Sequence, residues 1–308
     1  MRRDIPVATL AGNALRGFLM GAADIVPGVS GGTVALVLGI YERLVESVRR
    51  AASAAGRLLR GRPAQARQDL SAVEWSLVVP LLVGILVAIG ALSALIDHLL
   101  EEEAEVMAGL FLGLVAASVV VAARMVRRWT GVEAALATTV ALATFALLGL
   151  SNGPVADPSV IQFTGAGAIA ICAMILPGIS GSFLLLMLGM YAPVLAAVNE
   201  RAVADLIVFA AGAAVGLSLF STVLGRALDR WRNPLLAALI GLMAGSLRVL
   251  WPWPNGVGII AEDAADVVDG TGLDWPATAD LPGPTIAAIL GFIAVMAGTA
   301  LGNRDKGS

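Results

Sequence analysis

Residues 24–41 read DIVPGVSGGTVALVLGIY, and residues 174–191 read MILPGISGSFLLLMLGMY. Nine of the eighteen aligned positions are identical, and both copies carry Pro-Gly-x-Ser-Gly followed at the same distance by Leu-Gly-x-Tyr. Leu and Gly recur by chance in an apolar chain, whereas this spaced pattern does not. The repetition predicts an internal duplication in which each half has a helix-breaking segment at the same place.

The composition predicts an all-α polytopic membrane protein. The chain has 308 residues, of which 58% are hydrophobic and 14% are charged, and its apolar runs approach the roughly 20 residues that a helix needs to span hydrocarbon. So few charges cannot cover the surface of a soluble protein. Cys172 and His98 are the only cysteine and the only histidine. We therefore expect no internal disulfide, no metal site and no cofactor.

Each half is predicted to contain one broken segment followed by three full spans. The full spans are expected at about residues 76–96, 105–121, 132–150, 206–224, 235–250 and 285–301. Proline ends a helix at the residue before it, so the arms that lead into the two breaks cover about residues 9–23 and 164–176. The second of these arms is about 20 Å long, too short to cross about 30 Å of hydrocarbon.

Beyond each break, a serine is expected to cap a second helix. The helix that begins at Ser30 is predicted to continue through Tyr41 into a basic amphipathic segment at residues 43–67. Its counterpart is predicted to run without interruption from Ser180 to about Val198. Gly109-x-x-x-Gly113 and Gly241-x-x-x-Gly245 are typical of close helix packing.

The basic residues decide the topology. If each break is a re-entrant hairpin, one side receives eighteen of the twenty basic residues, including seven arginines at 43–67, and the other side keeps Arg201 and Arg248. The acidic loop 251–283, which has no Lys or Arg, also falls on the second side. The positive-inside rule then predicts a multi-pass protein of the cell membrane with both termini in the cytoplasm.

This arrangement predicts about six full transmembrane helices plus two re-entrant helical hairpins. Three spans are an odd number, so residues 1–150 and 151–308 become inverted repeats of one integrated membrane domain. Counting each break as a single kinked span would make the halves parallel and scatter the arginines over both sides.

The two breaks predict an anion site, and phosphate is the expected guest. Non-helical backbone at membrane depth survives only where it is buried in protein or lines a polar cavity, and a helix N-terminus presents free N–H groups to an anion. The alternative is that Pro-Gly merely kinks a helix. The predicted phosphate-binding residues lie within the two breaks: Pro27, Gly28, Ser30, Gly31, Gly32, Thr33, Pro177, Gly178, Ser180, Gly181 and Ser182. We expect valine at Gly31 or Gly181 to block the anion without unfolding the protein, because both should face the cavity.

Two helix N-termini supply about +1 in total, whereas a phosphate monoester carries about −1.5 to −2. Arg16 and Arg248 are the candidates for the missing positive charge, although each could instead extend to its own membrane interface. Asp24 could carry a proton with the substrate or cap backbone donors at the break. Glu42 is a second candidate for coupling, or a solvated interface residue.

The sequence favours a transporter over an enzyme or a nucleic-acid-binding protein. Ser30 and Ser180 have no histidine base, no acidic pair is spaced as a metal site, and no nucleotide-binding loop is present. The basic segment 43–67 is short and close to the membrane, which favours anionic lipid headgroups as its partner.

Three stretches together resemble the polyprenyl-phosphate transporter family, once known only as a membrane domain of unknown function. They are GAADIVPGVSGGT at 21–33, ILPGISGS at 175–182 and GLMAGSLRVLWPWP at 241–254. The resemblance covers almost the whole chain. It implies return of a lipid carrier phosphate, undecaprenyl phosphate in bacteria or a dolichyl-type phosphate in archaea, from the outer to the cytoplasmic leaflet for envelope polymer synthesis. A transporter of a small soluble anion remains the alternative. Thr33 and Gly32 have Phe183 and Ser182 as counterparts, which predicts unequal half-sites.

Overall fold

The structure is a computed structural model that describes residues 7–25, 30–149, 155–156, 158–253, 273 and 275–304. Within these ranges, helices are the only regular secondary structure. The helices, in chain order, are α1 (Val7–Ile25), α2 (Gly31–Val37), α3 (Tyr41–Leu59), α4 (Pro63–Ser71), α5 (Trp75–Glu102), α6 (Ala104–Ala123), α7 (Gly131–Leu147), α8 (Val160–Ile175), α9 (Gly181–Met187), α10 (Tyr191–Asn199), α11 (Val203–Arg230), α12 (Arg232–Ser246) and α13 (Pro282–Arg304).

Four helices of the described chain are long and apolar enough to cross a membrane. They contain the candidate spans Trp75–Ile96, Ala104–Ala123, Val203–Arg230 and Pro282–Ala300. Large apolar side chains on their outer faces are exposed, for example Leu86 on α5 and Leu219 on α11, as expected for contact with lipid. The chain is therefore a multi-pass membrane protein. The other two predicted spans, α7 and α12, have 17 and 15 residues, or about 26 and 23 Å, which is short of the hydrocarbon thickness.

The helices that follow the breaks are shorter than predicted, and the prediction of continuous second arms is wrong. After α2, the amide of Gly39 donates to the carbonyl of Leu36 and the amide of Ile40 donates to that of Ala35, both at 3.0 Å. Gly39 has φ of +68°, the left-handed conformation that glycine adopts at little cost. This double hydrogen bond is a Schellman motif, which ends a helix.

The same motif ends α9 in the second half. The amide of Gly189 donates to the carbonyl of Leu186, the amide of Met190 donates to that of Leu185, and Gly189 also has φ of +68°. The repeated Leu-Gly-x-Tyr therefore encodes a helix stop. It leaves two seven-residue helices, α2 and α9, between the breaks and the helices α3 and α10 that follow.

Glycines bring α1 against α5 and α8 against α11. A Cβ on Gly17 would collide with the backbone of Leu81, and one on Gly21 would lie 2.7 Å from the carbonyl oxygen of Ile85. In the second half, Gly212 lies against the backbone of Thr164, and Gly216 against that of Ala168. The residue numbers rise together in both pairs, so each pair of helices is parallel.

The predicted GxxxG contacts are confirmed, and they join the two halves. Gly109 and Gly113 of α6 lie against the backbone of Pro284 and Ala288 of α13. Gly241 and Gly245 of α12 lie against the backbone of α7, with added Cβ atoms 2.5 Å and 2.6 Å from the carbonyl oxygens of Ala137 and Ala141. Both pairs are again parallel. Because α6 and α7 precede residue 150 while α12 and α13 follow it, the halves interlock.

One end of the helix bundle is rich in ion pairs. Arg49 of α3 lies 3.2 Å from Asp229 at the end of α11, and Arg43 of α3 pairs with Glu74 just before α5. Trp75, Trp129 and Trp231 lie at helix ends on this side, which we call the basic end. Trp251, Trp253 and Trp275 cluster at the opposite end, with ring centroids 5.3 Å and 6.5 Å apart. Tryptophan at both ends is typical of membrane interfaces.

Candidate functional site

The two breaks contact each other although about 145 residues separate them. The Ser30 hydroxyl donates to the carbonyl oxygen of Leu176 at 3.3 Å, and the amide of Gly178 donates to the Thr33 hydroxyl at 2.8 Å. Ser30 and Thr33 are buried. We call this region, residues 24, 30–33 and 174–182, the break junction. Pro27 and Gly28 lie outside the described residues.

The first turn of α2 already has acceptors for its backbone donors. The amide of Gly31 donates to Asp24 Oδ1 at 2.6 Å, that of Gly32 to the Ser30 hydroxyl at 3.1 Å, and that of Thr33 to the Ser30 carbonyl at 2.9 Å. Ser30 is the helix cap that the sequence predicts. The Asp24 carboxylate complements the positive end of the helix dipole, so a negative group of the protein itself occupies this end.

The first turn of α9 has no such carboxylate. Met174 takes the place of Asp24, and Ser180 makes no capping bond to the backbone. The hydroxyls of Ser180 and Ser182 lie 2.8 Å apart. Within the part of the chain that the structure describes, the amides of Gly181 and Ser182 have no recorded acceptor. The half-sites are therefore unequal, as their sequences indicate, and the donors of α9 are the available ones.

The expectation that Gly31 and Gly181 face open space is wrong. A Cβ on Gly31 would lie 2.6 Å from Asp24 Oδ2, and one on Gly181 would lie 2.7 Å from Met174 Cγ and 2.8 Å from the Ala170 carbonyl oxygen. Valine at either position would therefore distort the junction itself. Pro177 is fully buried, and Gly178, with φ of +87°, lies directly against Met243 of α12.

Arg16 lies on α1 between the basic end and the junction. Its Nη1 donates to Asn13 Oδ1 at 2.7 Å, and buried Asn13 donates from Nδ2 to the Ser76 carbonyl at the start of α5, at 2.8 Å. Eight residues separate Arg16 from Asp24, about 12 Å along a helix. Within the described residues, Arg16 makes no hydrogen bond or ion pair to the junction. Asn13 is not among the predicted site residues, although an amide one turn before an arginine in an apolar helix is a usable signal.

Arg248 and Glu42 lie away from the junction, towards opposite ends of the bundle. The Arg248 guanidinium donates to the carbonyl of Phe145 at 3.3 Å and stacks 4.8 Å from its ring centroid, near the C-terminus of α7 where a cation is favourable. Glu42 accepts a hydrogen bond from Arg232 Nε at 2.7 Å at the basic end. Their predicted roles in substrate binding and coupling stay predictions.

The geometry of the junction suits an anion. Two backbone N–H groups and two hydroxyls lie at the start of α9, where Ser180 is buried and Ser182 is exposed. Thr33 of the first half and Met243 of α12 lie against Gly178 of the preceding break. Backbone donors fixed in this way bind negative oxygen atoms without rearrangement.

Comparisons with known proteins place the chain in a family. The family model described as undecaprenyl phosphate translocase-like matches residues 20–267. A polyprenyl-phosphate transporter of Vibrio cholerae is 42% identical over 241 residues, which cover 78% of this chain and 77% of the relative. A polyprenyl-phosphate transporter of Staphylococcus aureus is 30% identical over 262 residues, which cover 78% of this chain and 86% of the relative. The comparison with solved structures gives no match.

These findings confirm the resemblance inferred from the three motifs. Both relatives are named as transporters, which also confirms the prediction that the chain is not an enzyme. The chain belongs to the undecaprenyl phosphate translocase-like family.

Proposed function

We propose that this chain moves a polyprenyl phosphate from the outer to the cytoplasmic leaflet of the cell membrane and so recycles the lipid carrier for envelope polymers. The observation that carries the proposal is the break junction. Two helix breaks meet inside a membrane protein and leave backbone donors open at α9, and the named relatives transport a molecule with a phosphate headgroup. The proposal that the substrate carries a polyprenyl tail rests on the names of those relatives.

We propose further that the halves are inverted repeats, 1–150 and 151–308. The packing directions support this. Helix α7 is the third predicted span after the first break, and α12 is the second after the other break, yet the two run parallel. If successive spans alternate in direction, this is possible only when the halves point in opposite directions. The parallel packing of α6 with α13 also requires that the two halves point in opposite directions.

Each break is proposed to be the tip of a re-entrant hairpin. Helix α1 runs parallel to α5, and its Asn13 contacts Ser76 at the basic end. Helix α3, which follows the break, also lies at the basic end. The chain thus approaches the junction and leaves it on one side. In the second half α8 runs parallel to α11, which finishes at the basic end, so α8 enters from the opposite side. With the basic end in the cytoplasm, both termini are cytoplasmic.

The phosphate is proposed to bind at the junction, with unequal roles for its two halves. The amides of Gly181 and Ser182 and the hydroxyls of Ser180 and Ser182 donate to the phosphate. Pro27, Gly28, Gly32, Thr33, Pro177 and Gly178 shape the backbone of the site, and Arg16 and Arg248 balance its charge. Asp24 couples a proton to transport, and Glu42 is the second candidate for that role.

Purified protein in lipid vesicles provides the test. We expect farnesyl phosphate to move between leaflets in protein-containing vesicles and inorganic phosphate to stay outside. The double substitution Ser180→Ala/Ser182→Ala removes both hydroxyls. Hydrogen bonds to charged groups contribute about 1.5–3 kcal/mol, so lipid movement should fall at least about tenfold. Ser93→Ala is the matched control, because its hydroxyl bonds only to the carbonyl of Ile89 in its own helix.

Two outcomes would contradict these proposals. Uptake of inorganic phosphate without movement of farnesyl phosphate would support a transporter of soluble anions instead. Normal lipid movement by the double variant would remove the two serines from the site.

A further inference from the structure

Tyr41 carries a buried hydroxyl that the junction does not use. Its side chain is 2% exposed, and within the described residues Tyr41 Oη has no hydrogen-bond partner. Burying an unpaired hydroxyl is destabilising, and phenylalanine would fill the same space without that penalty. A polar atom in such a place points to a partner that is present in another state of the protein.

The hydroxyl lies in an apolar cluster built by both halves. Tyr41 packs in one buried group with Leu36 and Leu77 of the first half and with Leu224 and Leu236 of the second. We call this group the inner cluster. Tyr41 begins α3, directly after α2, a helix of about 10 Å whose other end forms the junction. The inner cluster therefore closes the junction from the basic end, and a phosphate that leaves towards that end must part it.

A cation lies directly beyond the cluster. Glu42, the next residue along α3, accepts a hydrogen bond from Arg232 Nε at 2.7 Å, and the two side chains are 47% and 33% exposed. Arg232 begins α12, so this ion pair bridges the halves. A half-exposed ion pair contributes little stability and can exchange partners readily. Leu236 of the inner cluster lies about one turn after Arg232 on α12, so the guanidinium lies at the basic end of the cluster that contains Tyr41.

The two halves differ in the surroundings of the repeated tyrosine. Tyr191 corresponds to Tyr41 in the repeated sequence, but it is only partly buried, and its hydroxyl is not among the buried unpaired atoms of the described residues. Its neighbour is Ala192 instead of a carboxylate. The combination of a buried hydroxyl and an adjacent ion pair is therefore a property of the basic end.

We propose that Tyr41 Oη and the Arg232 guanidinium form a second site for a phosphate monoester headgroup, occupied after the phosphate leaves the junction for the cytoplasmic leaflet. The proposal rests on the proposed function. As the inner cluster parts, Arg232 exchanges Glu42 for the phosphate in a charge-assisted bond, and the Tyr41 hydroxyl donates to a phosphate oxygen. Release to the leaflet returns Arg232 to Glu42 and closes the cluster.

Tyr41→Phe tests the site because it removes a single oxygen atom. We expect a higher thermal unfolding midpoint, unchanged equilibrium binding of farnesyl phosphate to the purified protein, and movement of farnesyl phosphate to the inner leaflet that is slower by about fivefold to tenfold. Tyr191→Phe is the matched control and should change none of the three. A purely structural role of the hydroxyl would leave transport unaffected.

A double-variant cycle tests whether the two residues act together. Arg232→Gln should slow movement, and Tyr41→Phe/Arg232→Gln should be no slower than the worse single variant, because groups of one site are not additive. Multiplicative effects would overturn the shared site. Wild-type speed in Tyr41→Phe overturns the second site alone, whereas wild-type vesicles that move no farnesyl phosphate overturn the proposed function and the second site together.

Discussion

Asp24 occupies the position that a bound anion would take at the first turn of α2. Its carboxylate accepts a hydrogen bond from the Gly31 amide, and the sequence is compatible with either a capping role or a proton-coupling role for this residue. The structure records the capping contact. Both roles are compatible, because a carboxylate that gains a proton loses its charge beside the helix dipole and weakens that bond.

Asp24→Asn separates the two roles. An asparagine side-chain oxygen can still accept the Gly31 amide, so the fold and the binding of farnesyl phosphate should be preserved. If Asp24 carries a proton, the variant should lose the pH dependence of lipid movement that the wild type shows in vesicles. An unchanged pH profile in Asp24→Asn would reduce Asp24 to a helix cap.

Arg16→Gln tests charge balance. A charge at membrane depth costs at least about 2.5–3.5 kcal/mol, and loss of about 2.7 kcal/mol corresponds to a hundredfold change in affinity. We therefore expect farnesyl phosphate to bind about a hundredfold more weakly. Arg201→Gln is the control, since Arg201 is exposed in a turn after α10. Equal affinities of the two variants, measured by equilibrium binding, would exclude Arg16 from the site.

The short helices α2 and α9 depend on the glycine that ends each of them. A helix continuing beyond Gly39 would carry Tyr41 away from the inner cluster and α3 away from α11. The repeated stop explains why the internal duplication extends to Leu-Gly-x-Tyr, which the breaks themselves do not need. It also sets the distance from the junction to the helices that surround it.

Gly39→Ala should destabilise the protein by about 1 kcal/mol, because alanine pays to adopt a positive φ. A Cβ there meets nothing within 4 Å, so the effect is purely conformational. Gly90→Ala, at another glycine with open surroundings, lies inside α5 and should stabilise by a similar amount. Thermal unfolding in detergent measures both. A lower midpoint for Gly90→Ala than for Gly39→Ala would contradict this assignment.

Helix packing interlocks the two halves of the described chain. The close contacts of α6 with α13 and of α7 with α12 cross between the halves, while α1 with α5 and α8 with α11 stay within them. Any movement that opens the junction must therefore preserve or slide these packed pairs. Parting of the inner cluster at the basic end is compatible with that constraint, because side chains and exposed ion pairs hold it together.

Cysteine labelling tests the proposed topology. In a Cys172→Ala background, Gln68→Cys on exposed α4 should react with a membrane-impermeant reagent from the cytoplasmic side only. Asn199→Cys, at the exposed end of α10, should react from the opposite side only. Reaction of both from one side would contradict the inverted arrangement.

Much of the fold can be predicted from the sequence because a membrane restricts the structures that a chain can adopt. Hydrocarbon thickness fixes helix length, proline and glycine fix the breaks, and small residues fix the faces along which helices approach. The predicted positions of the spans and the GxxxG contacts follow from these local rules, whereas the family is indicated by the resemblance of three motifs. The two stops at Gly39 and Gly189 were also present in the sequence, as glycines after a helical run.

Only the tertiary structure decided which groups meet. Thr33 bonds to Gly178 and Asp24 to Gly31, and these contacts do not follow from the unequal half-sites that the sequence predicts. Whether a backbone donor is occupied depends on which group folds against it, and Met174 in place of Asp24 provides no acceptor for the described amides at the start of α9. For the same reason Arg16 lies against Asn13, and the buried Tyr41 hydroxyl has no partner among the described residues. Contacts between residues about 145 positions apart depend on helix packing, which no local pattern specifies.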